Sequence, residues 1–143
     1  MGWLIKAFPA VAILLFAPAS LAVVGANVTT ETPASAVEIA QLPRFCWAQY
    51  HVPGINGNDY PIRDCGVGMN HYCPGLVGFV RGRTAPNKSR ALYFLKGADG
   101  AIAYTERAME GYPNCSIREH VAETRAELNR LLRMYGAKPQ GTR

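Results

Sequence analysis

The densest group of chemistry-bearing side chains is Met69, His71 and Cys73, which alternate along residues 66–73. A thioether, an imidazole and a thiolate are all ligands for copper or haem iron, so the trio has the atoms of a metal or redox centre. Its spacing argues against one, because residues two apart on a helix point to different sides. The expectation is therefore no metal and no cofactor, with Met69 and Tyr72 packing and Cys73 oxidised. Catalysis fares no better. A Ser or Cys nucleophile needs a base and an orienting carboxylate. His51, His71 and His120 are present, but no Gly-x-Ser-x-Gly accompanies them. Asp59 and Asp64 share a turn-rich loop, and that proximity does not make a glycosidase acid pair. The chain is not expected to be an enzyme.

The four cysteines, Cys46, Cys65, Cys73 and Cys115, carry a clearer message. They show no CxxC, no CxxCH and no paired Cys/His spacing, so zinc and covalent haem are excluded in favour of two disulfides. Four cysteines allow three pairings. Residues 51–64 (HVPGINGNDYPIRD) are turn chemistry throughout, and a long irregular loop needs a tether. A Cys46–Cys65 bridge would supply it and leave Cys73 for Cys115.

Disulfides belong to exported proteins, and the N-terminus reads as an export signal. Lys6 precedes an apolar run centred on residues 11–16, and Ser20-Leu21-Ala22 offers a cleavage site. A permanent membrane anchor needs about 18 apolar residues, and Pro9 and Pro18 interrupt this run. The expected organisation is a signal peptide at 1–22, cleaved after Ala22, and a flexible Thr/Ala/Ser-rich lead-in at 23–41. A disulfide-stabilised domain follows at 42–138, with a tail at 139–143. Membrane contact would come only through an uncleaved N-terminal segment. The location is periplasmic or secreted. At 143 residues, 49% hydrophobic and 17% charged, the composition fits one folded domain and excludes wholesale disorder.

Helices dominate the elements. Ser116-Ile117-Arg118-Glu119 has the form of a capping box, and apolar residues recur at helical period through Ile117, Val121, Leu128, Leu131, Leu132 and Tyr135. Gly136 and Pro139 end the pattern, giving a helix at 117–135. Leu92, Leu95, Ala98, Ile102, Thr105 and Met109 share one helical face, although Gly97 and Gly100 each cost about 1 kcal/mol relative to Ala. The same stretch also parses as a β-hairpin at 91–106, turning at Asp99-Gly100. Residues 69–83 suit a helix with Pro74 in its first turn, and Pro43 opens a short one at 42–51. The fold class is mainly α, with α+β as the alternative.

Ala101, Ala108 and Pro113 resemble the second helix of a tetratricopeptide repeat, where two small residues seven apart precede a helix-ending proline. Tyr72, Gly75-Leu76 and Phe79 are similar to the repeat's first helix, with the Leu-Gly order reversed. An insert around residues 84–88 departs from the 34-residue period. The likeness covers residues 70–115, a single repeat. It implies a short antiparallel helical array, with a hairpin capped by the C-terminal helix, acting as a protein-binding scaffold. In such a hairpin Cys73 and Cys115 fall at the same end, within the ~7 Å a bridge requires.

The formal charge is +5, with basic clusters at Arg81/Arg83, Lys88/Arg90 and Arg130/Arg133. Without aromatic platforms among them they do not suggest nucleic acid; attraction to an acidic partner or an anionic envelope surface is the better functional reading. Partner-binding candidates are Trp47, Tyr50, Asp59, Tyr60, Tyr72, Arg81 and Arg83. The expected function is a small exported interaction or adaptor protein of the cell envelope, bound to another envelope protein. One alternative is an inhibitor or immunity-type protein that blocks an envelope enzyme, with the 51–64 loop as its wedge. Another is a metal- or redox-linked periplasmic protein using Met69, His71 and Cys73.

Overall fold

The computed structural model of the chain describes residues 33–52, 54 and 63–140. The expected signal peptide at 1–22, Asp59, Tyr60 and residues 141–143 lie outside them. The described residues are mainly helical and contain no strand: α1 (Ala36–Ala40), α2 (Arg44–Trp47), α3 (Tyr72–Thr84), α4 (Lys88–Met109) and α5 (Arg118–Met134), with short 3₁₀ turns at Ala48–Tyr50, Arg63–Cys65 and Val67–His71. The hairpin alternative at 91–106 is overturned, because that stretch lies inside one continuous helix. Both glycines of the supposed turn are helical.

The α3–α4 pair is the centre of the fold, and glycine makes it close. Gly75, Gly78 and Gly82 repeat at spacings of three and four along α3 and face α4. A Cβ at Gly82 would stand 2.6 Å from Leu95, one at Gly75 would stand 3.0 Å from Ala101, and one at Gly78 would stand 3.4 Å from the Phe94 carbonyl. Removing these side chains lets the two backbones approach, with Ala91, Leu95, Ala98 and Ile102 of α4 buried at the contact. Pro86 forces Ala85 into extended backbone (ψ 140°), which ends α3. The Asn87 side chain then accepts from the Arg90 N–H at 2.9 Å and starts α4.

Helix α5 packs across this pair through Ile117, Val121, Leu128 and Leu132. Its C-terminus closes as a Schellman motif at Gly136 (φ 76°): the Ala137 N–H reaches the Leu132 carbonyl and the Gly136 N–H reaches that of Arg133. Its N-terminus differs from expectation. Ser116 caps nothing in α5; its N–H and hydroxyl instead donate to the Asp64 carboxylate, at 2.7 and 3.2 Å. The capping box lies elsewhere, at Ser35-Ala36-Val37-Glu38, where it starts α1. There the expected lead-in is corrected. Residues 35–41 are a capped turn of helix with Ile39 buried in the core and Glu38 bonded to Arg81, so the folded part begins ahead of Leu42. At the other end the expected tail is fastened at Gln140, whose N–H donates to the Asp99 carboxylate.

The disulfides also correct the expected pairing. Cys46 joins Cys73 and Cys65 joins Cys115, across 27 and 50 residues of sequence. Cys73 and Cys115 do sit at the same end of the α3–α4 hairpin, but two other segments come between them. Leu42, Cys46 and Tyr50 bury against the start of α3, which delivers Cys46 to Cys73. The 3₁₀ turn at Val67–His71 lies against α4 with the Arg63–Cys65 turn beside it, which delivers Cys65 to Cys115. The 51–64 loop is thus held by both bridges instead of by one across its base.

Candidate functional site

Most of the polar side chains that could do chemistry are spent inside the fold. The Tyr72 hydroxyl lies 2.6 Å from His120 Nδ1 and 2.9 Å from Thr124 Oγ1, with Phe45 stacked on the Tyr72 ring and edge-on to His120. A phenol, an imidazole and a hydroxyl in contact resemble a proton relay. Tyr72, however, has no solvent exposure. Burial pushes its phenol well above the tyrosine range and pulls His120 below its ordinary value, with Glu123 opposing the latter. The cluster is a neutral hydrogen-bonded clamp between α3 and α5. Tyr50 is likewise interior, its phenol raised to about 12 by burial.

The buried charges are paired. Arg125 reaches from α5 to Asp99 and, with two nitrogens, to Glu106 on α4. Arg81 makes a two-nitrogen pair with Glu38 and donates to the Pro33 carbonyl. The Arg81 hydrogen bond is the main reason the Glu38 carboxyl is held down to about 2, against the opposing effect of burial. Of the residues expected to meet a partner, Tyr50, Tyr72 and Arg81 are therefore interior. Trp47 is half-buried with its indole N–H donating to the Leu42 carbonyl at 3.0 Å. Arg83 is exposed, lies over the Phe79 ring and sits 3.9 Å from Glu127. Asp59 and Tyr60 lie outside the described residues.

The Met69–His71–Cys73 trio is dispersed. Met69 is buried, His71 packs its ring 4.4 Å from Tyr104, and Cys73 is bonded to Cys46, so no thiolate remains for a metal. None of the four cysteines is free. No group of three His, Cys, Asp or Glu side chains among the described residues is placed to hold an ion.

Among the described residues, what is left most open on α4 is one stripe away from its contacts with α3 and α5. Arg90, Tyr93, Gly97, Gly100, Tyr104 and Arg107 follow one another at spacings of three and four, which keeps them on one stripe of a helix. Tyr93 and Tyr104 are 46% and 45% exposed, among the few large aromatic side chains left in solvent. Arg90 lies 5.6 Å from the Tyr93 centroid and nearer, at 4.8 Å, to that of Phe94, and Arg107 lies 5.9 Å from that of Tyr104. Between the tyrosines the surface dips: a Cβ at Gly100 would meet nothing within 4 Å. Tyrosine and arginine are the residues that anchor protein interfaces most often. Lys96 is exposed beside the stripe, and the acids Asp99 and Glu106 are drawn inward by Arg125, so the face is basic as well as aromatic. In the sequence Gly97 and Gly100 stand only as a cost to a helix or as the turn of a hairpin. Their position on an otherwise exposed stripe was the signal that went unread.

No family model, no curated protein and no solved structure matches this chain.

Proposed function

We propose that this is an exported, disulfide-stapled helical interaction protein of the cell envelope, and that its docking face is the outer stripe of α4. One observation carries the reading: two exposed tyrosines, each paired with an arginine, flank a glycine hollow on a helix whose opposite side is fully used by the core. Glycines inside a long helix, here the half-buried Gly97 and Gly100, lower its stability by about 0.5–1 kcal/mol each. At Gly100 no contact within the fold offsets that cost, so a partner's close approach is its natural explanation.

The two disulfides suit an oxidising, extracytoplasmic compartment. No helix among the described residues is long and apolar enough to cross a membrane. An N-terminal signal cleaved after Ala22 and a periplasmic or secreted address are consistent with both facts. The resemblance to a tetratricopeptide hairpin points to the same class of work, with disulfides and α5 taking the place of neighbouring repeats. The partner is expected to be a protein; the reading assigns no catalysis, cofactor or nucleic acid to the chain.

Site-specific photo-crosslinking tests this. A photoreactive phenylalanine analogue in place of exposed Tyr93, in cells exporting the full chain, is expected to give a discrete adduct. The same residue at exposed Arg133 on α5 is expected to give none. Equal labelling at both positions, or none at either, would defeat the proposal.

A further inference from the structure

One short pattern occurs twice along the open stripe of α4. Tyr93 is followed three residues on by Lys96, and Tyr104 three residues on by Arg107. The two pairs stand eleven residues apart, three turns of helix, so they share a face at a separation of roughly 16 Å, at 1.5 Å per residue. All four side chains are exposed. Helix α4 also sorts its charges. Lys88, Arg90, Lys96 and Arg107 lie on its exposed side, whereas Asp99 is buried and both it and Glu106 are bonded to Arg125 of α5. Among the described residues, no carboxylate lies within ion-pair distance of Lys96 or Arg107. That includes exposed Glu110, just past the helix end and one turn beyond Arg107.

We infer that the stripe receives an acidic segment of a partner protein, which sets one carboxylate beside Lys96 and another beside Arg107. The inference rests on the docking reading above and goes beyond it by giving the chemistry of the partner. Charge is the argument. With the acids of α4 turned inward, the face offers cations without a compensating carboxylate, and the surface that complements it is negative. Arg107 is also ordered in advance, its guanidinium 5.9 Å from the Tyr104 centroid, which reduces the freedom lost when a carboxylate binds it. The neighbouring tyrosine rings supply the contact area that keeps water from the ion pairs.

The same cations attract an anionic lipid surface, but the stripe lacks what holds a helix in one. Interfacial helices bury Trp, Phe or Leu at the acyl boundary. On α4 the large hydrophobic side chains left exposed are Tyr93 and Tyr104 alone. Between them the surface dips at Gly100, where a Cβ would meet nothing within 4 Å. A flat bilayer leaves that hollow empty, whereas a side chain of a protein segment can enter it. A partner helix with carboxylates eleven residues apart meets both cations at once, because it rises by the same amount per residue.

The test uses the full chain exported in cells, with the photoreactive phenylalanine analogue in place of Tyr93. Lys96→Glu with Arg107→Glu should lower the adduct yield by at least about tenfold. Arg133→Glu with Lys138→Glu makes the same change in net charge at exposed residues on α5 and just after it, and should leave the yield unchanged. All four positions are exposed, so both variants keep the core. Digestion of the adduct and sequencing of the cross-linked peptide should give a partner segment rich in Asp and Glu. A yield that falls equally in both variants, or in neither, overturns the inference, and so does a cross-linked segment that is neutral or basic. In those cases an adduct at Tyr93 of the parent chain leaves the docking face standing with a protein of other chemistry. An adduct to lipid, or no adduct in the parent chain, removes the docking reading as well.

Discussion

Alanine at Gly82 and alanine at Gly100 add the same methyl group to the same kind of structure, and they should move stability in opposite directions. In both helices the change from Gly to Ala contributes about 0.5–1 kcal/mol through backbone entropy. At Gly100 nothing opposes it, since no atom lies within 4 Å of the new Cβ. At Gly82 the Cβ would stand 2.6 Å from both Cγ and Cδ2 of Leu95, which has no solvent exposure, and 3.4 Å from the Ala91 carbonyl. Overpacking of a filled core costs about 1–3 kcal/mol, which outweighs the helix gain. For a domain of this size 1 kcal/mol moves Tm by about 4–8 °C. Gly100→Ala should therefore raise Tm by about 2–8 °C, and Gly82→Ala, at a mid-range net cost of about 1.25 kcal/mol, should lower it by about 5–10 °C. Both are measured by calorimetry and urea titration on dilute protein, with the disulfides intact. If Gly82→Ala were neutral or stabilising, α3 and α4 would not be in the close contact described. If Gly100→Ala were destabilising in the dilute monomer, the outer face of α4 would already be covered by the chain itself.

Three further outcomes follow from the interior. Replacing Arg125 with Met strands Asp99, which is almost fully buried, and Glu106 without their common partner, and should cost about 3–5 kcal/mol in urea titration; Arg125→Lys should recover little, because an ammonium cannot span both carboxylates as the guanidinium does. The Cys65–Cys115 bridge closes a longer stretch than Cys46–Cys73, 50 against 27 residues, so on chain entropy their removal should cost about 4 and about 3.5 kcal/mol respectively, read from the denaturation midpoints of the paired Ser variants. Glu38 is held down to about 2 from an ordinary 4.5, so its contribution is fully present above about 4.5 and is lost as pH falls toward about 2; Glu38→Gln should flatten that limb of the stability–pH curve and leave neutral pH behaviour unchanged in slope.

The helical class and the long C-terminal helix were legible because apolar residues at helical period decide both. Helix α4 was legible with an ambiguity: Gly97 and Asp99-Gly100 are turn signals locally, and only the burial of Leu95, Ala98 and Ile102 against α3 makes them helical. The disulfide pairing was not legible, since it depends on where the segments around Cys46 and Cys65 land, and neither has a periodic pattern to say so. Two identical S-x-x-E signatures had opposite fates. Ser35 caps α1, whereas Ser116 is diverted to Asp64, more than fifty residues away in sequence. Tyr50, Tyr72 and Arg81 have the residue types of an interface, but they serve the interior because Thr124, His120 and Glu38 supply buried partners or the core supplies volume. The stripe proposed for docking combined all three outcomes. Its tyrosines and arginines were visible as residue types, its glycines as a penalty, and their common face only once α3 had claimed the other side of the helix.

The docking of α4 is tested most directly by hydroxyl-radical footprinting of the tyrosines, comparing dilute purified protein with the protein in the intact envelope. Tyr112 is 42% exposed and rests against Gly66, away from the stripe, so it serves as the internal reference. In the envelope, modification of Tyr93 and Tyr104 should fall several-fold while Tyr112 is unchanged. Equal reactivity of all three in both settings would contradict the assignment of α4's outer face as the working surface of this protein.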